Sequence, residues 1–312
     1  MAYVGSYTPD GLACVDVDPN TGALFGVSTV PGVPDASWLT CSPDGRHLYA
    51  ANETAAGSVT VLDAKTLAVQ GVWPTGGDSP THLSVHPTGR FLLVAHYGSG
   101  TVAVLRLDED GGVGPITDLV PGVHAHQVGT DPSGQWVVSV DLGTDSVDVR
   151  QLDLDTGKLH HHQRFTAGPG PRHLIWHPDG RRAFLVCENA PQVIACDWNA
   201  GTLTVGAVLS LAAAGHPGEG VVSADGRFLY VTNRGPNTVD TFDLAGLRLL
   251  GSVPVGGDWP RHAALDPSER WLYVSNQRSG TVTWLPRDPA SGALSPVAGS
   301  MNAEAVAMVL FG

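Results

Sequence analysis

Side chains suited to chemistry stand directly before several short apolar segments of this sequence. Histidine and glutamate can transfer protons, and arginine can pair with a phosphate or a carboxylate. If these segments converge in the fold, their residues predict acid–base catalysis on a small anionic molecule. The segments are DSPTH (78–82), VHAH (123–126), GPRH (170–173), HPGE (216–219) and DWPRH (258–262), and the candidate residues in them are His82, His124, His126, Arg172, His173, His216, Glu219, Arg261 and His262.

A second group of polar residues follows other apolar segments. It supplies a further candidate, Arg234, in the segment NRGPN (233–237). Three arginines in an otherwise acidic protein, Arg172, Arg234 and Arg261, predict a local positive site for a phosphate or a carboxylate. The remaining members of this second group are Asn52, Glu53, His96, Asp141, Glu188, Asn233 and Gln277.

An internal repeat indicates which elements position these residues. Each repeat has a turn-like marker between two short apolar segments, such as HLSV and FLLVAH, and a third segment follows a polar loop. Apolar runs of this length, bounded by turn residues, predict strands. The markers recur about every 45 residues, which is the size of a four-stranded propeller blade. They are SPDGR (42–46), HPTGR (86–90), DPSGQ (131–135), HPDGR (177–181), SADGR (223–227) and DPSER (266–270).

The two ends of the chain supply one more blade than the six markers. YVGSYT, GLACVDVD and ALFGVSTV at the start match the second, third and fourth strands of a blade, and AVAMVLF (305–311) can supply the first. We therefore expect an all-β fold, a seven-bladed β-propeller of four-stranded antiparallel blades whose first blade is closed by both termini. One domain, residues 1–312, is expected. The markers would lie on one face of the ring, and the candidate residues would surround the central channel on the other.

Composition limits the classes of function. The net charge is -13 and the only lysines are Lys65 and Lys158, so a nucleic-acid surface is not expected. No apolar run approaches the roughly 18–20 residues of a membrane span, and the N-terminus lacks the pattern of a secretory signal. The four cysteines have no C-x-x-C spacing and are expected to be small buried hydrophobic residues. These features predict a cytoplasmic protein, and a ring without free sheet edges predicts a monomer.

Specific motifs make the sequence similar to a known family. HAH (124–126), GPRH (170–173), NRG (233–235) and WPRH (259–262) resemble the seven-bladed propeller lactonases, the 6-phosphogluconolactonases of the bacterial propeller type. The resemblance extends over nearly the whole chain. One departure is that Val221 stands where the family usually has a histidine two residues after the glutamate. Others are His96 and Cys187, which occupy positions where the family has asparagine, so the departures concern the substrate rather than the fold.

The resemblance implies hydrolysis of a sugar lactone, with 6-phosphogluconolactone as the type substrate and no cofactor or metal. Glu219, or a histidine such as His126 or His173, would activate the water. Arg172 or His262 would stabilise the oxyanion. The residues that would bind the anionic substrate are Arg234, Arg261, His262, His82 and His124.

Three alternatives remain open at the level of sequence. Unrelated propeller lactonases use a calcium ion, and Glu53, Asn233 and Glu219 could supply its ligands, although the neighbouring arginines would repel a cation. A lyase or cycloisomerase acting on a muconate-type lactone would need the same anion-binding groups. A propeller that only binds a partner would tolerate the same polar residues without using them.

Overall fold

Seven four-stranded antiparallel sheets form a ring of blades around a central channel. The computed structural model describes residues 1–312 and contains 28 strands and no α-helix. The predicted all-β seven-bladed propeller is therefore confirmed.

The strands follow one another along the chain with short connections. In chain order they are β1 (Ala2–Ser6), β2 (Leu12–Val17), β3 (Leu24–Val30), β4 (Ala36–Cys41), β5 (His47–Asn52), β6 (Ser58–Asp63), β7 (Val69–Pro74), β8 (Pro80–Val85), β9 (Phe91–His96), β10 (Thr101–Leu107), β11 (Val113–Pro121), β12 (Ala125–Thr130), β13 (Trp136–Asp141), β14 (Ser146–Leu152), β15 (Leu159–Thr166), β16 (Pro171–Trp176), β17 (Arg182–Cys187), β18 (Gln192–Asn199), β19 (Thr202–Ser210), β20 (His216–Val222), β21 (Phe228–Arg234), β22 (Thr238–Asp243), β23 (Arg248–Pro254), β24 (Pro260–Leu265), β25 (Trp271–Asn276), β26 (Thr281–Pro286), β27 (Gly299–Asn302) and β28 (Val306–Phe311).

Blade 1 contains both ends of the chain. Its strand order is β28-β1-β2-β3, so the last strand pairs with the first, as the terminal segments predict. Blades 2 to 7 are β4–β7, β8–β11, β12–β15, β16–β19, β20–β23 and β24–β27. The seven innermost strands are β28, β4, β8, β12, β16, β20 and β24, and each lies against the innermost strand of the next blade, so the ring closes.

Burial falls from the second strand of a blade to its outer edge. In β9 (FLLVAH) all six residues are buried, because both faces of the sheet pack against neighbouring blades. In the outer strand β23 no residue is buried. Continuous apolar runs thus mark the second strands, and polar or mixed runs mark the outer ones.

The turn markers join the first and second strands of each blade, on the face opposite the candidate residues. Two marker histidines brace neighbouring blades there: Nε2 of His86 lies 2.8 Å from the carbonyl oxygen of Gly134, and Nε2 of His177 lies 2.8 Å from that of Gly226. Each brace joins the markers of two successive blades. These two histidines therefore have structural contacts away from the channel mouth.

The cysteines form no disulfide bond. Cys187 and Cys196 are buried in the blade cores, as expected, and Cys14 and Cys41 are half-buried. The chain has no helix long and apolar enough to cross a membrane.

Candidate active site

A β-bulge in every innermost strand places the candidate side chains in the channel. The register between the first and second strands shifts once in each blade, as between Pro171 and His173 or between Pro260 and His262. A bulge inserts one extra residue and redirects the side chains around it. Two rings of seven residues result. The bulge ring is Ala307, Ser37, Thr81, His126, Arg172, Gly218 and Arg261, and the floor ring, one residue deeper, is Met308, Trp38, His82, Gln127, His173, Glu219 and His262.

The floor ring divides the channel into two cavities. The cavity toward the candidate face is lined by Ser37, Trp38, Thr81, His126, Arg172, His173, Glu219, Arg261, His262 and Ala307. The other cavity opens toward the turn markers and is mainly apolar. Trp38, Glu219 and His262 line both cavities. We call the first of these the mouth cavity.

Trp38 occupies the middle of the floor ring and was not a candidate from sequence. Its ring centroid lies 4.2 Å from that of His82, 5.4 Å from that of His173 and 5.6 Å from that of His262. It stands at the same position of the repeat as those three histidines, in SWLTC against THLSV and RHLIW. A residue-by-residue alignment of the repeats is the signal that would have found it.

A third ring follows the second strands, at the rim of the mouth. On each second strand, one residue pairs with the residue just before the bulge, and the ring consists of the residues that follow these partners. In four blades this residue is Tyr7, Glu53, Glu188 or Arg234. We call the full set the exit ring: Tyr7, Glu53, Tyr97, Leu142, Glu188, Arg234 and Gln277. Glu53, Glu188, Arg234 and Gln277 were expected near the mouth, but Tyr7 was missed because its strand lies at the chain start.

One carboxylate bridges two buried arginines. Oε2 of Glu188 lies 3.1 Å from Nε of Arg172 and 2.9 Å from Nη2 of Arg234. Burial acts to raise the pKa of Glu188, but the two positive charges outweigh it and hold its pKa below the ordinary value. Burial and the neighbouring Arg234 lower the pKa of Arg172 to about 9, which leaves it charged at neutral pH. Glu188 is the more exposed partner, with 26% of its side chain accessible.

Backbone carbonyls fix both of these arginines. Nη1 of Arg172 donates to the carbonyl oxygen of Gly218 at 2.6 Å. Nε and Nη2 of Arg234 donate to the carbonyl oxygens of His216 and Pro217, at 2.8 and 2.9 Å. Both guanidinium groups are thereby anchored to the bulged segment of blade 6. Such preorganised donors can stabilise negative charge with little rearrangement.

The third predicted arginine, Arg261, lies in the wall of the same mouth cavity as Arg172. Its Nη2 is 4.0 Å from Oε2 of Glu53, and its guanidinium carbon is 5.3 Å from the ring centroid of Tyr7. The Tyr7 hydroxyl donates to the same Glu53 oxygen at 2.8 Å. The structure therefore brings all three arginines to the mouth, but each has an acidic neighbour, so the site is not a simple positive funnel.

His126 has the features of a general base. It is 5% exposed, it lines the mouth cavity, and its Nδ1 has no hydrogen-bond partner. Burial, with the charge of Arg172, lowers its pKa well below the ordinary value. The ring is therefore neutral at pH 7, and one of its two nitrogens carries a free lone pair.

Glu219 and His173 form a buried pair in the floor ring. Oε2 of Glu219 lies 2.5 Å from Nδ1 of His173. Burial raises the pKa of Glu219 and lowers the pKa of His173 well below its ordinary value, so burial disfavours the charged form of each partner. Nε2 of His173 lies 3.4 Å from Nη1 of Arg172. The pair thus lies directly behind an arginine of the mouth.

The other predicted histidines occupy different depths. His262 is in the floor ring, and burial lowers its pKa to about 4. His82 is also in the floor ring but lies outside the mouth cavity, whose wall in that blade is Thr81. His124 is exposed on the rim, where its ring stacks on Tyr97 with centroids 4.4 Å apart. We predicted that His82 contacts the substrate directly. Its position does not support this contact, because the bulge places Thr81 rather than His82 in the cavity wall.

Of the residues of the calcium alternative, the two glutamates have other partners, whereas Oδ1 of Asn233 is buried without one. Glu53 accepts from Tyr7, Glu219 lies against His173, and Nδ2 of Asn233 donates to the carbonyl oxygen of Ala213 at 2.9 Å.

Comparisons with known proteins place this arrangement in a family. The family described as Lactonase, 7-bladed beta-propeller matches residues 1–311. The 6-phosphogluconolactonase of Bacillus subtilis strain 168 is 27% identical over 333 residues, which cover 95% of this chain and 93% of that protein. The 6-phosphogluconolactonase of Serratia proteamaculans is 30% identical over 296 residues, which cover 89% of each.

A solved structure agrees with the sequence comparisons. The periplasmic gluconolactonase PpgL of Pseudomonas aeruginosa superimposes with a TM-score of 0.91 at 31% identity, over 99% of this chain and 97% of that one. The resemblance stated from the motifs is thereby confirmed. With its ring of seven blades and its matched residues 1–311, the chain belongs to the seven-bladed β-propeller lactonase family.

Proposed function

We propose that this protein hydrolyses a small anionic sugar lactone of the 6-phosphogluconolactone type, by activating water at the mouth of the central channel. The observation that carries the proposal is a buried, neutral histidine with a free ring nitrogen beside buried arginines, in a chain of the lactonase family. The relatives named 6-phosphogluconolactonase and gluconolactonase support the substrate class.

His126 is the proposed general base. One nitrogen of its imidazole accepts a proton from water as the water oxygen bonds to the lactone carbonyl carbon. The carbonyl oxygen then carries a negative charge. When the bond between that carbon and the ring oxygen breaks, the leaving oxygen takes the proton from His126, and the product is a hydroxy acid. A base of this kind contributes on the order of 10²–10⁴-fold to the rate.

Arg172 is the proposed stabiliser of the oxyanion. Its guanidinium is fixed by Gly218 and lies in the wall of the same cavity as His126. A preorganised donor of this kind contributes about 3–4 kcal/mol to transition-state stabilisation. Glu219 and His173 act as positioning residues, since they lie behind Arg172. Arg234, Arg261 and His262 complete the binding surface, and His124 borders it at the rim.

The test is a pH-stat assay of purified protein with freshly made 6-phosphogluconolactone, with and without EDTA, against the spontaneous rate. We expect acceleration that EDTA does not change. His126→Gln should lose about 10²–10⁴-fold in kcat. The matched control is His160→Gln, an exposed histidine on the outer strand of the same blade, which should keep full activity. Loss of activity with EDTA would instead favour the calcium alternative, and full activity of His126→Gln would contradict the assigned base.

A further inference from the structure

The rim of the mouth carries an arginine that has no acidic partner. Arg278, in the loop between β25 and β26, is exposed, and no carboxylate oxygen lies within 4 Å of its side-chain nitrogens. The buried arginines differ in this respect, because Glu188 bridges Arg172 and Arg234 and Glu53 lies beside Arg261. Arg278 is thus the mouth arginine whose charge is available to a ligand.

A tryptophan holds this arginine in place. The guanidinium carbon of Arg278 lies 3.4 Å from the ring centroid of Trp259, a close cation–π contact. The guanidinium carbon of Arg234 lies 5.3 Å from the same centroid. Arg234 also pairs with Glu188, and Glu188 in turn pairs with Arg172. The rim and the buried arginines are therefore parts of one continuous surface.

Trp259 is held in an unusual backbone conformation. Its φ angle is +65°, in the left-handed region that bulky residues rarely adopt. Its amide donates to Oδ1 of Asn237 at 3.0 Å, and its carbonyl oxygen accepts from the amide of Gln277 at 3.0 Å. Nδ2 of Asn237 also donates to Oδ1 of Asp258 at 2.9 Å, which directs that carboxylate to the asparagine. The same left-handed conformation recurs just before the innermost strand of other blades, at Asp35, Ser79, His124 and Ala305, so Trp259 shares it as a feature of the blade repeat.

We propose that Arg278, held flat on Trp259, binds the anionic tail of the substrate at the rim and so determines the preference for phosphorylated over unphosphorylated lactones. This inference rests on the proposed function. In 6-phosphogluconolactone the phosphate is on C6, and the ring oxygen, C5 and C6 connect it to the lactone carbonyl carbon. A phosphate on Arg278 would direct the lactone ring toward Arg234, whose guanidinium lies near the same tryptophan. Arginine is suited to the phosphate because its planar fork donates two parallel hydrogen bonds.

The test compares two substrates on the same variants. Steady-state hydrolysis of 6-phosphogluconolactone and of unphosphorylated gluconolactone is measured for wild type, Arg278→Gln and Trp259→Asn. Asparagine is chosen because it tolerates the left-handed conformation while removing the ring. The control is Arg181→Gln, an exposed arginine in the marker turn on the opposite face, which removes the same charge from the whole molecule. Thermal unfolding of each variant checks the fold.

We expect KM for the phosphorylated lactone to rise about tenfold in Arg278→Gln and in Trp259→Asn, the loss of one charge-assisted contact. KM for gluconolactone should change by less than about twofold, and Arg181→Gln should match wild type for both substrates. An unchanged preference in Arg278→Gln, or an equal loss for both lactones, would overturn the inference and leave the proposed function standing. Failure of wild type to hydrolyse either lactone would overturn the proposed function and this inference with it.

Discussion

The Glu219–His173 pair shows how a residue below the mouth can affect chemistry above it. The pair sits in the floor ring, and Nε2 of His173 faces Nη1 of Arg172 at 3.4 Å. A shift of the pair would therefore move the proposed oxyanion donor rather than the substrate-binding surface. Displacements of about 1 Å away from the reacting atoms can cost about 10²-fold in rate.

We therefore expect Glu219→Gln to lower kcat by about 10²-fold with little change in KM. Glutamine fits the floor ring, because Gln127 already occupies the equivalent position in blade 4. The measurement is steady-state kinetics with the phosphorylated lactone, alongside thermal unfolding. An unchanged kcat would remove Glu219 from the machinery, and a lower unfolding temperature with unchanged kinetics per folded molecule would make its role purely structural.

Residue types at the mouth were predictable from sequence, whereas their depths were not. The repeat placed His82, His173 and His262 at one position of three blades, and the structure keeps them in one ring. The bulge, however, puts the residue before each of these histidines into the wall of the mouth cavity. A bulge leaves no mark on the two-residue periodicity of a short strand, so the sequence could not separate the wall residue Arg172 from the floor residue His173.

At the scale of elements, tyrosines on the second strands of three blades join each of them to the next blade. The hydroxyl of Tyr49 donates to the carbonyl oxygen of Gly111, and that of Tyr230 to Gly292, both at 2.9 Å. The hydroxyl of Tyr273 donates to the carbonyl oxygen of Gly22 at 2.6 Å, which joins blade 7 to blade 1. The same contact thus recurs at three blade interfaces, including the one that closes the ring.

Tyr273→Phe isolates this contact, because the ring of Tyr273 stays buried and only the hydroxyl is lost. We expect the free energy of unfolding to fall by about 1 kcal/mol, the usual net value of such a hydrogen bond. Urea unfolding measures the change, and lactone hydrolysis should be unaffected, since the contact lies far from the mouth. A stability equal to wild type would mean that water replaces the tyrosine at Gly22.

Strand count and blade order were predictable because each blade repeats the same local signals. The marker turn, the apolar second strand and the polar outer strand recur six times, and AVAMVLF pairs with YVGSYT to make the seventh blade. The seven-fold pattern also accounts for the exit ring. Tyr7 was missed as a mouth residue only because its own blade is divided between the two ends of the chain.

At the scale of the whole molecule, the channel concentrates buried histidines in one place. His82, His126, His173 and His262 are all buried, and burial is the largest cause that lowers the pKa of each. In the unfolded chain these groups take up protons near their ordinary pKa of about 6.5. The unfolded state therefore binds more protons than the folded state below that pH, and the free energy of unfolding must fall as the pH falls. The raised pKa of Glu219 acts in the opposite direction and offsets part of this loss.

This linkage can be measured on one histidine that lies outside the mouth cavity. His82→Gln removes a buried imidazole whose Nδ1 has no partner and introduces the side chain that blade 4 carries as Gln127. Urea unfolding between pH 7.5 and 5 should show a free energy that falls with pH in wild type. Below about pH 6 the slope in the variant should be smaller by about 1.4 kcal/mol per pH unit, the contribution of one proton. The exposed control, His160→Gln, should keep the wild-type slope, since its imidazole is exposed. An equal slope in wild type and His82→Gln would mean that His82 takes up its proton in the folded protein as well. Burial of this histidine in the channel would then not explain a loss of stability in acid.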